Sequence, residues 1–429
     1  MNVLHLIDPH SPGGGACTLR LLAEPLQRLQ SVNQDVLIIG NRSHADLARR
    51  CGVEPTGLLT PPMNEPALAR RALARTIRLQ EQARGPYDLI HAWTMRVASL
   101  AVMAAPKRRR LATLAVGPIS GLATQLFLML TEQNPTPLLA SSTAVQREYR
   151  SMGVDRRLLS VLPPAVNPPA VQSVDRATLR RRWGFDDSSS APFVVGLLSE
   201  PVNWADARTA VNVIVRAAAT GRDIRLLLHH SAPRRVEAER WAASLGYRDR
   251  IIVEDEVAEP WRIVHGLDAA LLIGGELNSM DLSDAGSPFA VLTGGGRRLR
   301  PMPGVMPLLW AMSVGVPVIA EASDAVSDII EDGRSGLLVD QDDINAAGDR
   351  IIRIYDDPTI AGRIGMEARS LVQRRFHVSA YCVRLKEAYQ RLVEDRTVRV
   401  IGDASEPLVE HYQRKTLSWH DVEQRVEQV

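Results

Sequence analysis

The stretch Pro301–Val339 constrains the fold of this chain more than any other part of the sequence. Within it, a short apolar helix is predicted between Pro307, which suits the first turn of a helix, and Gly315, which suits a left-handed C-cap. Two continuous apolar runs follow at Val316–Ala320 and Leu337–Val339, as in parallel strands that are buried on both faces. The alternation of strands and helices predicts an α/β fold with a parallel sheet.

The predicted helix begins without a side-chain cap. No Ser, Thr, Asp or Asn stands at Met306–Pro307 to accept hydrogen bonds from the first backbone N–H groups. These groups therefore need water or an anion, and a helix N-terminus is a natural binding site for phosphate. We predict phosphate contacts at Gly304, Val305 and Met306.

The same stretch resembles the donor-site segment of the GT-B glycosyltransferases, in particular the retaining family-4-like group that includes sucrose and trehalose-type synthases and bacterial mannosyltransferases. That family reads E-G-F-G-x-P-x-L-E-A-M-A-x-G-x-P-V-I-A, followed by Gly-Gly, an acidic residue and E-D-G-x-x-G-x-L-V. The matching residues are Pro307, Leu309, Ala311, Met312, Gly315, Pro317, Val318, Ile319, Ala320, Glu331, Asp332, Gly333, Gly336, Leu338 and Val339. The resemblance implies two doubly wound Rossmann-like domains that face a central cleft, with a nucleotide sugar held mainly by the C-terminal domain.

The charged residues of the family's donor site are replaced in this chain. The two family glutamates fall on Met302 and Trp310. In the family, the Arg and Lys of a G-R-L-x-x-x-K-G loop neutralise the leaving diphosphate. Here the loop begins at Gly196, a predicted donor contact, but the Arg becomes Leu197 and the Lys position, around Val202–Asn203, is uncharged. The resemblance therefore covers the scaffold and not its charged groups.

A glycine-rich basic segment precedes the donor motif. The segment Gly274–Arg300 is longer than in the family and ends in the sequence Thr-Gly-Gly-Gly-Arg-Arg-Leu-Arg. Its amides and the guanidinium groups of Arg297, Arg298 and Arg300 could contact a diphosphate and replace the missing Arg and Lys. The alternative is an insertion whose arginines meet only water.

The N-terminus also has the order strand, loop, helix. The apolar run Val3–Ile7 leads into a loop with Gly13, Gly14 and Gly15, and helical periodicity begins at Thr18. Such a loop brings backbone N–H groups close to a ligand. It resembles the Gly-Gly-Ala loop of the family's N-terminal domain, near the donor and the acceptor, so these glycines are predicted donor contacts. The alternative is a tight turn.

His91 is the candidate catalytic residue. It lies near the end of a predicted strand, Asp88–Trp93. The family often reads D-x-x-H-x-H here, with the first histidine pointing into the cleft. His91 matches that histidine, and Trp93 replaces the second one. The alternative is a hydrogen-bonded structural histidine.

A basic tetrad, Lys107–Arg110, precedes the apolar stretch Leu111–Leu130. Glycines and a proline interrupt that stretch, so a strand followed by a helix is predicted rather than a membrane span. The tetrad could contact an anionic lipid at the inner face of a membrane, or an anionic acceptor. The alternative is a solvated turn.

Composition excludes several classes of protein. A net charge of +2 gives no reason to expect nucleic-acid binding. Three cysteines argue against a disulfide framework, and Met1–Asp8 has no basic signal-peptide region, so a cytoplasmic protein is expected. The family needs no bound metal, and no cofactor is expected besides the nucleotide-sugar substrate.

The predicted organisation has five parts. These are an N-terminal Rossmann-like acceptor-side domain at 1–170, a linker at 171–191, a C-terminal Rossmann-like donor domain at 192–375, a helix at 376–395 that crosses back to the first domain, and a polar tail at 396–429.

Two functions follow from the resemblance. The first is a glycosyltransferase that moves a sugar from a nucleotide-sugar donor to a hydroxyl of a glycan, lipid or small-molecule acceptor, with retention of configuration. The second is a catalytically inactive relative that binds a glycan or nucleotide or acts as a scaffold, which the loss of four charged contacts favours. A nucleotide-sugar epimerase of the same shape lacks a distinctive acid/base cluster and ranks last.

Overall fold

The computed structural model describes residues 1–9, 15–61, 66–115, 117, 127, 135–168, 174–185, 191–198, 204–230, 232, 235–255, 260–273 and 305–394. Several predicted site residues lie outside these ranges: Gly13, Gly14, Arg297, Arg298, Arg300, Met302 and Gly304. The predicted polar tail at 396–429 also lies outside them.

The chain forms two compact units. The first contains the described residues of Met1–Pro164 together with Val378–Glu394, and the described residues from Ala165 to His377 form the second. The last described helix therefore belongs to the first unit.

The first unit is built on a parallel sheet of seven strands. They are β1 (Asn2–Ile7), β2 (Asn33–Ile39), β3 (Gly57–Leu59), β4 (Leu89–Ala92), β5 (Arg110–Leu114), β6 (Leu138–Ala140) and β7 (Leu159–Val161). Their order in the sheet is β3-β2-β1-β4-β5-β6-β7. The central strands are buried on both faces, as their apolar runs require.

Six helices of the described chain belong to this unit. They are α1 (Ala16–Arg28), α2 (Arg42–Arg50), α3 (Pro66–Arg84), α4 (Met95–Ala104), α5 (Thr143–Ser151) and, after the second unit, α13 (Val378–Glu394). Helix α13 packs on α1 and β4. Arg109 also donates a hydrogen bond to the carbonyl oxygen of Val393, at the end of α13.

The second unit is built on a parallel sheet of six strands. They are β8 (Phe193–Leu197), β9 (Ile224–His229), β10 (Ile251–Glu254), β11 (Ala269–Leu272), β12 (Val318–Glu321) and β13 (Leu337–Val339). Their order in the sheet is β10-β9-β8-β11-β12-β13. The α-helices are α6 (Arg176–Arg182), α7 (Trp204–Ala218), α8 (Arg235–Ser244), α9 (Met306–Val314), α10 (Asp324–Ser327), α11 (Ile344–Asp356) and α12 (Pro358–Arg375). The predicted α/β organisation is therefore present in both units.

The predicted linker 171–191 contains helix α6, which belongs to the second unit. Its buried Arg180 donates hydrogen bonds of 2.8 Å to the carbonyl oxygens of Gly266 and Pro192. The same guanidinium group pairs with the carboxylate of Asp268, at the start of β11. The partners of Arg180 are distant in sequence, so the polar composition of this segment did not indicate them.

None of the helices in the described part of the chain has the length and hydropathy of a membrane span. Of the interrupted apolar stretch Leu111–Leu130, the first residues form the predicted strand, as part of β5.

The predicted helix between Pro307 and Gly315 is confirmed as α9, which begins one residue earlier, at Met306. It ends at Gly315 with a left-handed backbone, φ +82°. Here α9 meets α12 at a close backbone contact. A Cβ atom added at Gly365 would lie 2.0 Å from the carbonyl oxygen of Gly315. The two helices can pack at this distance only because residue 365 has no side chain.

We predict that Gly365→Ala lowers the free energy of unfolding by about 2 kcal/mol or more, since the methyl group would overlap a backbone atom that cannot move without shifting α9. Gly362→Ala in the same helix is the matched control, because a Cβ there would meet no atom within 4 Å. That variant should gain up to about 1 kcal/mol from the higher helix propensity of alanine. Thermal and urea unfolding of the two variants would test this, and equal stabilities would contradict it.

Candidate functional site

The strand order of the second unit places a crevice between the carboxyl ends of β8 and β11. From this point the chain winds outward in opposite directions across the sheet, and ligands of open α/β sheets bind at such switch points. Helices α7 and α9 are the next described helices after β8 and β11, and in a parallel sheet such helices begin at this carboxyl edge. The sequence-predicted donor contacts that the structure describes in this unit are Gly196, Val305 and Met306.

The start of α9 has the uncapped form expected from its sequence. Val305 occupies the N-cap position but makes no side-chain hydrogen bond to the first turn, and Pro307 stands at the helix start. No acidic residue lies in the first turn. Backbone N–H groups at such a helix start are suited to an anion. Phosphate binding by Val305 and Met306 stays a prediction.

Gly196 is explained by packing within the unit. It lies inside β8, where it pairs with Ala270 of β11. A Cβ atom at this position would lie 2.4 Å from Cδ1 of Leu267, so the leucine side chain occupies the space that a larger residue would need. The glycine thus accommodates a core side chain, and its proposed contact with the donor has no separate support from its surroundings.

Trp310, at one of the family glutamate positions, is a core residue. Its side chain is 3% exposed, and its ring lies 5.6 Å from the ring of Trp261 between centroids. The tilt of 54° between the rings is typical of packed aromatic pairs. The core alternative is therefore favoured over stacking on a base or sugar.

Three buried polar side chains at the carboxyl ends of strands were not predicted from the sequence. His229 ends β9, with its ring 4.3 Å from that of His230. Glu254 ends β10 and accepts a hydrogen bond of 2.7 Å from Nε1 of Trp183. Glu321 ends β12 and accepts one of 3.1 Å from the backbone N–H of Asp342. In the sequence, each of the three is a polar residue directly at the end of an apolar run, and this pattern could have identified them.

A small cavity lies at the carboxyl ends of β11, β12 and β13. Its volume is about 10 Å³, and it is lined by Thr209, Val213, Leu271, Ile273, Glu321, Val339, Asp343 and Ala347. A cavity of this size is at the lower limit for a single water molecule. Among the described residues, no group of three or more His, Cys, Asp or Glu side chains is arranged to hold a metal ion.

The first unit has its own switch point, between β1 and β4. Gly15 is the N-cap residue of α1, so this helix also begins without a side-chain cap. A Cβ atom at Gly15 would meet nothing within 4 Å. Packing therefore does not require glycine at this position. Nearby in sequence, the buried Asp8 follows β1 and lies 3.3 Å from Nη1 of Arg96, in the first turn of α4. This ion pair joins the segments that directly follow β1 and β4, the two strands of the switch point.

His91 is fully buried, with both ring nitrogens hydrogen-bonded. Nδ1 lies 2.7 Å from the hydroxyl of Tyr389, and Nε2 lies 2.8 Å from the hydroxyl of Thr113. Burial, and secondarily the neighbouring His5, lower the pKa of His91 well below its ordinary value. This is the arrangement of a neutral structural histidine, so it favours the alternative that the sequence left open, and the catalytic role of His91 stays a prediction.

His5 lies opposite His91 in the pairing of β1 with β4. Nε1 of Trp93 is 3.0 Å from Nδ1 of His5, and because the indole can only donate, Nδ1 is unprotonated. Nε2 of His5 then donates to the side-chain oxygen of Gln34, at 3.1 Å. Burial lowers the pKa of His5 to about 4, against smaller opposite effects of Gln34 and Asp35. Trp93 follows β4 and replaces the second family histidine. Its hydrogen bond to His5 links the end of β4 to β1.

Comparison with known proteins identifies the region around α9. Residues 303–371 match the family described as glycosyl transferases group 1. The chain has the GT-B fold and carries a group 1 glycosyl transferase region. The predicted family resemblance and the predicted fold class are confirmed.

Three similar proteins define the extent of the likeness. Alpha-D-kanosaminyltransferase of Streptomyces kanamyceticus is 25% identical over 221 residues, 51% of this chain and 49% of that protein. The chain thus matches about half the length of this relative. The structure of HepE from Anabaena in complex with UDP and glucose is 17% identical, with a TM-score of 0.69 over 90% of this chain and 98% of that one. Sucrose-phosphate synthase from Thermosynechococcus elongatus is 18% identical, with a TM-score of 0.64 over 92% of this chain and 100% of that one.

The group 1 region begins at Pro303 and includes the uncapped start of α9, the Gly315–Gly365 contact and strands β12 and β13. Trp310 also lies in it and packs into the core. The matched region of this chain therefore combines an uncapped helix start with a close glycine contact, and the residue at one family glutamate position contributes to packing.

The neutral His5 should make the stability of the protein depend on pH. Its folded pKa of about 4 lies below the unfolded value of 6.5, so the unfolded chain binds the extra proton between these values. The contribution of His5 to stability should be complete above pH 6.5 and fall by about 3 kcal/mol as the pH drops to 4.

Urea unfolding from pH 4 to pH 7 measures this. Carboxylates also titrate in that range, so the comparison is with His5→Gln, which should be less stable at pH 7 but lose about 3 kcal/mol less between pH 6.5 and pH 4. Parallel pH profiles for the two proteins would show that His5 does not carry the effect.

Proposed function

We propose that the protein transfers a sugar from a nucleotide-sugar donor to a hydroxyl of an acceptor, with retention of configuration. The observation that carries this proposal is the match of residues 303–371 to the glycosyl transferases group 1 family, with the uncapped start of α9 inside it. The likeness in fold to HepE, whose structure was determined with UDP and glucose, supports a nucleoside diphosphate sugar as the donor.

The chemical demand of this reaction is stabilisation of the leaving nucleoside diphosphate. Developing negative charge is best met by preorganised donors and positive groups in a site that excludes water. The backbone N–H groups at the start of α9, with Val305 and Met306, are the described groups that we assign to the phosphates. Gly13, Gly14, Gly15, Gly196 and Gly304 remain proposed donor contacts.

Positive charge is the missing part of this site. The family's Arg corresponds to Leu197, which is buried and apolar. We assign the compensating charge to Arg297, Arg298 and Arg300, which lie directly before the family region in the sequence. Arginine suits this role because its guanidinium group binds phosphate oxygens in a bidentate manner.

No metal is assigned to this reaction, because helix N-termini and guanidinium groups can meet the charge of the diphosphate. Transfer should therefore continue in the presence of EDTA. The acceptor is a glycan, a lipid or a small molecule with a hydroxyl group.

A non-catalytic protein on the same fold is the second candidate. The burial of Trp310 at a family glutamate position favours it, because a core tryptophan cannot supply the hydrogen bonds of a carboxylate. Such a protein would bind a nucleotide or a glycan without transferring the sugar, or act as a scaffold.

Calorimetric titration with UDP, GDP and ADP tests the donor site. We expect binding of at least one diphosphate, and Arg297→Ala/Arg298→Ala should weaken it by roughly tenfold or more, since each charge-assisted hydrogen bond contributes about 1.5–3 kcal/mol. Arg363→Ala/Arg369→Ala is the matched control, because both arginines are exposed on α12 in the same unit. It should bind as the unchanged protein does.

The outcomes separate the two candidates. Binding followed by release of diphosphate from a nucleotide sugar supports the transferase, and binding without any turnover supports the non-catalytic relative. Absence of both heat and thermal shift with all three diphosphates would overturn a donor site altogether. If both double variants lost affinity equally, the charge assigned to Arg297 and Arg298 would be wrong, but the proposed donor site itself would stand.

A further inference from the structure

One face of α3 combines arginines with exposed leucines. Its residues are Leu68, Arg71, Arg75, Arg78, Leu79 and Gln82, and all six are exposed. At 100° per residue they fall within a sector of roughly 100°. Ala69, Leu73 and Ile77 are buried and lie on the opposite side of the helix. We call this solvent-facing set the basic face of α3.

No carboxylate among the described residues of the unit neutralises the charge of this face. Helix α3 contains a single acidic residue, Glu81, which lies outside the face and pairs with Arg108 at 2.7 Å. In the described part of the chain no carboxylate pairs with Arg71, Arg75 or Arg78. The face therefore carries three positive charges and no negative one.

The basic tetrad predicted from the sequence is used differently. Arg110 is buried and donates to the carbonyl oxygens of Ala105, Pro106 and Arg108. Arg108 pairs with Glu81, and Arg109 donates to the carbonyl of Val393. Three of the four residues thus have partners within the first unit, although Lys107 and Arg109 are exposed, as in the solvated turn that the sequence offered as the alternative.

The two leucines limit what kind of anion fits the face. Leu68 and Leu79 are 42% and 55% exposed, among the few large apolar side chains that are exposed in the described chain. A nucleic acid or an acidic glycan would bind the arginines but gain little from the leucines. A lipid surface uses both, because arginine binds lipid phosphates while leucine enters the boundary between headgroups and acyl chains.

The shape of the face agrees with a flat partner. It runs along one side of the helix for about 21 Å, from Leu68 to Gln82, at 1.5 Å per residue. We propose that the first unit binds anionic lipid surfaces through the basic face of α3. The helix lies in the plane of the interface, with the three arginines at the phosphates and the two leucines inserted beneath them. This surface lies outside the group 1 region, and its role does not depend on sugar transfer.

Flotation of the full chain with vesicles tests the proposal. The protein should float with vesicles of equimolar phosphatidylglycerol and phosphatidylcholine and not with phosphatidylcholine alone, and added salt should weaken the binding. Arg71→Gln/Arg75→Gln/Arg78→Gln should lower the partition coefficient by roughly a hundredfold, given about fivefold for each positive charge.

Two further variants separate lipid binding from general attraction to anions. Arg42→Gln/Arg50→Gln/Arg150→Gln removes the same charge from exposed positions on α2 and α5 and should float as the unchanged protein does. Leu68→Ser/Leu79→Ser keeps the charge and should lower the partition coefficient by roughly tenfold through lost insertion. Because all altered side chains are exposed, circular dichroism should show each variant folded.

Three results would overturn the proposal. These are absence of binding to the anionic vesicles at low salt, equal loss of binding in the two arginine triple variants, and full binding by the leucine variant. Full binding by the leucine variant, together with stronger retention on heparin or DNA than on vesicles, would identify an anionic polymer as the partner instead.

Discussion

The packing of the second unit depends on the position of α9. This helix is buried along almost its whole length, so it cannot be held by an amphipathic face alone and must be enclosed by neighbouring elements. Its end packs on α12 through two glycines, where backbone meets backbone. Gly315 then turns the chain with a left-handed backbone into β12. Because the start of α9 must be presented at the carboxyl edge of the sheet, the contact at its far end also fixes the position of the candidate phosphate site.

The first unit is organised around buried polar groups. His5 and His91 lie side by side on β1 and β4, and every ring nitrogen of the two has a hydrogen-bond partner. Hydrogen-bonded in this way, buried polar groups favour one arrangement of the strands. An arrangement without these partners would leave a buried ring nitrogen without a hydrogen bond, which would destabilise the fold. Tyr389 comes from α13, far along the chain, so the same network holds the last described helix to the sheet.

The local elements could be predicted from the sequence, and their tertiary partners could not. Helix α9 and strand β12 are marked by Pro307, Gly315 and a continuous apolar run, which act over a few residues. Gly196 is a predicted donor contact through the family loop, and the sequence does not reveal its packing partner Leu267, which is 71 positions away. The environments of His91 and Trp310 were equally hidden, since Tyr389 and Trp261 give no signal near them.

The amount of positive charge at the candidate donor site helps to decide between the two proposed functions. A helix N-terminus carries about half a positive charge, so the starts of α7 and α9 together amount to about one. The family places two full cations, an Arg and a Lys, at positions that carry no charge in this chain. Because the resemblance implies the same helix starts in the family, losing the Arg and the Lys leaves this chain with about two fewer positive charges for a leaving diphosphate. A transferase on this scaffold must obtain that charge from arginines outside the family positions, whereas a protein that only binds its ligand has no developing charge to stabilise and can tolerate the deficit. The source of the missing positive charge, more than the fold, separates the two functions.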